Sequence, residues 1–78
     1  MVSEKIKAIL SLTGNKQADL AQHLDIAPQS VANKMVRDSW SAGDLVKVAG
    51  MVGARLEFVL PDGQQIVIAS GANTQSEE

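Results

Sequence analysis

Three short polar side chains, Gln29, Ser30 and Asn33, lie within five consecutive residues that directly follow a proline. Residues four positions apart share one face of a helix, so Gln29 and Asn33 would point in the same direction. A carboxamide carries a donor and an acceptor side by side, which matches the N6 and N7 edge of adenine in the major groove. The pattern therefore predicts that these three residues hydrogen-bond to base edges of DNA.

A second set of residues is predicted to contact the DNA backbone: Lys16, Gln17, Lys34 and Arg37. Gln17 opens a predicted helix, where its amide and the free N–H groups of the first turn can hold a phosphate. Lys34 and Arg37 come at the end of the next predicted helix and supply positive charge. The alternative interpretation is a solvated surface side chain, and it applies to Gln17, Lys34 and Arg37 here and to Gln29 and Asn33 above.

Four helices are predicted around these side chains from apolar residues at helical spacing and from capping residues. Pro28 fits the first turn of the third helix, where its missing N–H is no loss. The predicted caps are Ser3 and Asn15 at N-termini, Gly14 and Gly53 at C-termini, and a capping box of Ser41 and Asp44. The predicted inward positions are Ile6, Ile9, Leu10, Thr13, Leu20, Ala21, Leu24, Val31, Met35, Leu45, Val48, Ala49 and Val52.

Only a short corner separates the second helix from the third, which is the helix-turn-helix arrangement. Ala21 lies where the two helices cross closely, so a small side chain is required there. Trp40, the one tryptophan, is expected to pack between the third and fourth helices. The corner therefore presents the third helix, with Gln29 and Asn33, to the outside.

The segment "KQADLAQHLDIAPQSVANKM" resembles the helix-turn-helix of the Cro and lambdoid phage repressor type of DNA-binding domain. The resemblance spans roughly residues 6–53, and the matching motif residues are Gln17, Ala21, Ile26, Gln29, Ser30 and Val31. Two positions depart from the family pattern: Asp25 replaces the turn glycine, and Ala27 replaces the usual Ser or Thr cap of the third helix. That cap is worth about 1 kcal/mol.

The resemblance implies roles for individual residues and a mode of assembly. The residue matching Gln17 contacts the DNA backbone in this family, and those matching Gln29 and Asn33 face base edges. Family members are commonly homodimers on two-fold operators, and some dimerise through C-terminal strands. A homodimer bound to double-stranded DNA is therefore expected here.

Residues 54–69 are predicted to form a β-hairpin, because two β-branched, apolar runs flank the turn sequence Pro61-Asp62-Gly63. Leu56, Phe58 and Leu60 are expected to cover the helices. An isolated hairpin is marginally stable in water. The apolar residues left over are therefore predicted to form a dimer interface: Val59, Ile66, Val67 and Ile68. Residues 70–78 are small, polar and acidic, and are predicted to form a disordered tail.

The predicted fold class is mainly α with a small β part, namely a helix-turn-helix domain over residues 1–53 followed by the hairpin. At 78 residues the chain buries about 60 % of its unfolded surface, so dimerisation would add stability. There is no cysteine, no membrane span and no signal peptide, and a cytoplasmic location is expected. The single histidine, His23, has no partner for metal binding or catalysis, so no enzyme activity, metal, cofactor or small-molecule ligand is predicted.

The sequence thus predicts a sequence-specific DNA-binding transcriptional regulator that acts as a homodimer, with repression the expected mode. The charge balance favours an alternative. Residues 1–40 hold five cations and four anions, a net charge of +1, whereas the remainder holds two cations and five anions, a net charge of −3. A protein-interaction module or antitoxin-like partner on the same fold, with weak or no DNA binding, is the second hypothesis.

Overall fold

The computed structural model describes residues 1–70, so most of the predicted tail lies outside the described residues. The element order is α1 (Val2–Thr13), α2 (Gln17–Leu24), α3 (Pro28–Arg37), α4 (Ala42–Val52), β1 (Arg55–Val59) and β2 (Gln65–Ser70). The predicted fold class, four helices followed by a two-stranded antiparallel hairpin, is confirmed. Strand β2 includes Ser70, one residue beyond the predicted end of the hairpin.

The core lies between the four helices, with Leu20 of α2 and Val31 of α3 fully buried at its centre. Ile9 and Leu45 are partly buried against it, and Thr13, predicted to face inward, is exposed. Its hydroxyl instead donates to the carbonyl of Ile9 at 2.8 Å. The buried apolar residues are Ile6, Leu10, Leu20, Ala21, Leu24, Val31, Met35, Val48 and Ala49.

The helix ends follow local capping chemistry in most places. Gly14 and Gly53 end α1 and α4 in the left-handed conformation, with φ of 73° and 70°, as predicted. The capping box is confirmed: the Asp44 N–H donates to Ser41 Oγ and the Ser41 N–H donates to Asp44 Oδ2, both at 3.0 Å. The prediction for Asn15 is wrong, because the residue before α2 is Lys16 and the Asn15 amide donates to the Thr13 hydroxyl.

Ser3 does not cap α1, which already begins at Val2, but joins α1 to the far end of α3. Its hydroxyl donates to the carbonyl of Met35 at 2.8 Å and accepts from the indole N–H of Trp40 at 3.0 Å. Its backbone N–H donates to Asp38 Oδ1 at 2.8 Å. Ser3 itself is 7 % exposed, and these bonds form a polar hub, defined here as Ser3, Met35, Asp38 and Trp40, whose Asp38 side is open to solvent.

The hairpin contacts α4 at its base and is exposed beyond it. A tight turn joins the strands: the Gly63 N–H donates to the Leu60 carbonyl and Gly63 has a φ of 92°. Leu56 pairs with Ala69, while the next residue of β1 pairs with Val67, so Ile68 forms a β-bulge. Phe58 is 63 % exposed, so the prediction that it covers the helices is wrong.

Candidate nucleic-acid interface

The corner between α2 and α3 depends on a left-handed residue at Asp25, where φ is 59° and ψ is 46°. The N–H of Asp25 donates to the carbonyl of Gln22, and the N–H of Ile26 donates to that of Ala21, which closes the end of α2. Ala21 is 2 % exposed at this corner. This burial agrees with the prediction that a small side chain is required where the two helices cross. Ala27 supplies no side-chain cap, and Pro28 begins α3.

The exposed face of α3 carries two of the three predicted base-reading residues. Val31 and Met35 are buried, and at about 100° per residue the opposite side of the helix holds Gln29, Asn33 and Arg37. The amide of Gln29 donates to Asn33 Oδ1 at 3.4 Å, so both amides lie together on this face. Ser30 is only half-buried and lies at its edge. Gln29, Asn33 and Arg37 are exposed to solvent and lie on the side of the helix away from the core.

The predicted backbone-contacting residues separate into two groups. Lys16 and Gln17 at the start of α2, and Arg37 at the end of α3, are exposed. Lys34 is not: its ammonium forms an ion pair with Asp44 Oδ2 at 2.8 Å, and the side chain is 26 % exposed. The Lys34 Nζ also lies 6.0 Å from the ring centroid of Trp40, within reach of a cation–π contact.

Two carboxyl groups, Asp38 at the C-terminal end of α3 and Asp44 on α4, have lowered pKa values. The hydrogen bond from the Ser3 backbone N–H lowers the pKa of Asp38. Burial alone would raise the pKa of Asp44, but hydrogen bonds from Lys34 Nζ and the Ser41 N–H outweigh it, so that this pKa lies below its ordinary value of 3.8. The ion pair of Lys34 and Asp44, with its atoms 2.8 Å apart, therefore joins α3 to α4.

This ion pair makes the folding stability depend on pH in a defined direction. The lowered pKa of Asp44 means that its contribution is complete above the unfolded-state pKa and is lost as pH falls through the folded-state pKa. We expect the difference in unfolding free energy between the parent protein and Asp44→Asn to shrink as pH is lowered from about 6 to about 3. Urea denaturation at several pH values measures it. A difference that stays constant over this range would contradict the assignment.

Sequence reasoning missed two features of this region. The polar hub at Ser3 joins residues 35 positions apart in sequence, which no local pattern reveals. Val36 was not among the predicted site residues, although it is 85 % exposed on α3. Its signal was present in the sequence, because a position seven residues after Gln29 returns to the same helical face.

The fold and the exposed polar face of α3 together define a helix-turn-helix DNA-binding domain. The family model described as the bacteriophage CI repressor helix-turn-helix domain matches residues 4–65, and the chain belongs to this family. The predicted resemblance to lambdoid phage repressors is thereby confirmed. The family is one of DNA-binding repressors rather than of enzymes.

A curated relative agrees with this assignment. The chain is 37 % identical over 59 residues to the Repressor protein CI of Enterobacteria phage phi80, an alignment that covers 76 % of this chain and 25 % of that protein. The chain thus spans about a quarter of the length of this relative. No solved structure matches the chain. Within residues 1–70, no helix has both the length and the apolar character needed to cross a membrane.

Proposed function

We propose that the chain is a sequence-specific transcriptional repressor that binds a two-fold operator as a homodimer, with α3 in the major groove of double-stranded DNA. The observation that carries this proposal is the exposed face of α3, where the amides of Gln29 and Asn33 lie 3.4 Å apart and away from the core. Adjacent amides suit the adenine edge, and a helix fits the width of the major groove. Ser30 reads from the margin of the same face.

We assign the phosphate contacts to three residues that are exposed at the two ends of the helix-turn-helix, namely Lys16, Gln17 and Arg37. In this arrangement they bracket the base-reading face and fix the orientation of α3 in the groove. Lys34 would have to leave Asp44 to reach a phosphate, so we assign it a positioning role in place of the predicted direct contact. A cytoplasmic location accords with such a role.

Two features of the hairpin support dimerisation. Its apolar side chains remain exposed on both faces, with Ile66 at 54 % and Val59 at 63 %. The sheet has two strands, so each strand also has an edge with unpaired backbone groups that a second copy can meet. The predicted interface of Val59, Ile66, Val67 and Ile68 is divided between the two faces of the hairpin, because Ile66 pairs with Phe58 whereas Val59 and Val67 lie on the opposite face. A second hairpin packed on either face would therefore cover part of it. Two copies of α3 would then face successive major grooves, about 34 Å apart.

The second candidate, a protein-interaction module on the same fold, is favoured by two observations. The net charge is −2, and Lys34, one of the four predicted backbone contacts, is already paired within the chain. Such a module would use the same exposed faces to bind a protein and would bind DNA weakly or not at all.

Selection from random duplex DNA at low salt, followed by sequencing of the bound pool, separates the two candidates. The repressor proposal expects a two-fold site with half-sites about one helical turn apart. It also expects affinity for the selected site to fall steeply between about 50 and about 200 mM salt, because phosphate contacts release counterions. A folded protein that enriches no sequence would reject the repressor and favour the interaction module.

Gln29→Ala is expected to cost about 1–3 kcal/mol of binding free energy per half-site and to relax base preference at one position of the site. The reason is that the variant removes a paired donor and acceptor from an exposed helix face without disturbing the core. Fluorescence anisotropy on the selected site and its single-base variants measures both effects.

Gln22→Ala is the matched control, because Gln22 has the same side chain and is exposed on α2 instead of α3. It should bind like the parent protein. If Gln29→Ala lowers affinity equally for every sequence tested, the residue contacts the backbone and its assignment to base reading is wrong.

A further inference from the structure

Val36 is an apolar side chain without a partner in the part of the chain that the structure describes. It is 85 % exposed, and among the large apolar residues within 1–70 only Met1 and Leu12, both in or next to α1, are similarly exposed. Valine in a helix has lower propensity than alanine and gains nothing from burial here. The residue therefore contributes little to the fold, although it lies on the helix that carries the base-reading amides.

The position of Val36 places it on the base-reading face. Gln29, Asn33 and Val36 fall within an arc of about 60° on α3, on the side opposite Val31 and Met35. Along the helix axis Val36 lies about 4.5 Å beyond Asn33, since each residue rises about 1.5 Å. This distance lies between one and two base-pair steps, each of about 3.4 Å. A helix that presents Asn33 to one base pair thus presents Val36 to the next, or the one after it.

We propose that Val36 contacts the C5-methyl group of a thymine in each half-site, and so reads a base pair that the amides do not reach. This inference rests on the proposed function. The thymine methyl is the apolar group among the base edges of the major groove, and an apolar side chain is its natural contact. A phosphate offers the apolar side chain of Val36 no favourable interaction. The phosphate contact at this end of α3 is instead assigned to the adjacent Arg37.

The contact is tested by removing the methyl group alone. Each thymine of the selected site is replaced in turn by deoxyuridine, and binding is measured for the parent protein and for Val36→Ala. We expect one position per half-site at which the parent loses about fourfold in affinity, the equivalent of one methyl-sized group. At that position Val36→Ala should bind both DNAs equally. On unmodified DNA, the affinity of Val36→Ala should be lower than that of the parent protein by a similar factor.

Leu12→Ala is the matched control, since Leu12 is 86 % exposed but lies on α1. It should retain the full methyl dependence of the parent protein. Circular dichroism melting should show that both variants remain folded, because neither removes a buried group.

The possible failures are distinguishable. If Val36→Ala keeps the methyl dependence of the parent, another residue makes the contact and the proposal is overturned. A selected site with no methyl-dependent position overturns it as well, and Val36 is then a solvated side chain. Failure to select any site would reject the repressor function, and this contact with it.

Discussion

The double variant Val59→Lys with Ile66→Lys is expected to convert the proposed dimer into monomers and to lower affinity for the proposed operator at least about 100-fold. In a dimer, the second half-site is bound intramolecularly, and this advantage is typically worth about 10²–10⁴ in affinity. Phe58 pairs with Ile66 and Val59 pairs with Gln65 on adjacent rungs, so the two lysines lie on opposite faces of the hairpin. Whichever face of the hairpin packs against the second copy, the interface would then bury a lysine charge. Sedimentation or light scattering measures the mass, and anisotropy measures operator binding.

The single variants Val59→Lys and Ile66→Lys identify which face forms the interface. Leu12→Lys is the control, because it adds the same charge at an equally exposed apolar position on α1. It should leave the mass unchanged. If the double variant keeps the solution mass of the parent protein and still binds the two-fold site, the hairpin is excluded as the dimer interface.

Leu20→Ala is expected to destabilise the fold by about 2–5 kcal/mol. Leu20 is fully buried at the centre of the core, so truncation leaves a cavity between α2 and the helices around it. A domain of this size has little stability in reserve, since the usual total for folded proteins is about 5–15 kcal/mol. The variant should therefore be partly unfolded at physiological temperature and should lose DNA binding in proportion.

Urea denaturation, monitored by the fluorescence of Trp40, measures this change. Leu12→Ala removes the same atoms from an exposed position and should shift the unfolding free energy by no more than about 0.5 kcal/mol. If Leu20→Ala loses less than about 1 kcal/mol, the packing at the centre of the described core is incorrect.

The parts of the fold that could be predicted are those governed by local chemistry. Gly14 and Gly53 were identifiable as helix ends because they adopt left-handed φ values that glycine favours. The box of Ser41 and Asp44 satisfies donors within a single helical turn, so its spacing is visible in the sequence. Asp25 was identified as the turn residue through the resemblance, and its left-handed backbone agrees.

The parts that could not be predicted depend on partners distant in sequence. Ser3 has the residue type of an N-cap, but its partners lie at the end of α3. Lys34 has the charge of a phosphate contact, yet Asp44 arrives from the next helix to pair with it. Phe58 alternates correctly for an inward strand position, but alternation does not say whether a helix lies beneath it.

In the candidate site, too, some features could be predicted from the sequence and others could not. The exposure of Gln29 and Asn33 followed from helical periodicity, because buried Val31 and Met35 determine which face points outward. Val36 lies on that outward face too, but apolar residues are ordinarily assigned to the core, so it was not predicted as a site residue although it is 85 % exposed.

The polar hub at Ser3 has a consequence for how selectively α3 would read DNA in the proposed complex. Packed apolar side chains tolerate small slides of one helix over another, whereas the hydrogen bonds of Ser3 Oγ to Met35 and Trp40, at 2.8 and 3.0 Å, would break if α1 slid over α3. In the proposed complex, α3 would then be ordered before it meets DNA, and its conformational entropy would already be lost on folding. Such a helix would lose little entropy on binding and would adapt poorly to a wrong sequence, so its fixed position would add to the discrimination that its contacts provide.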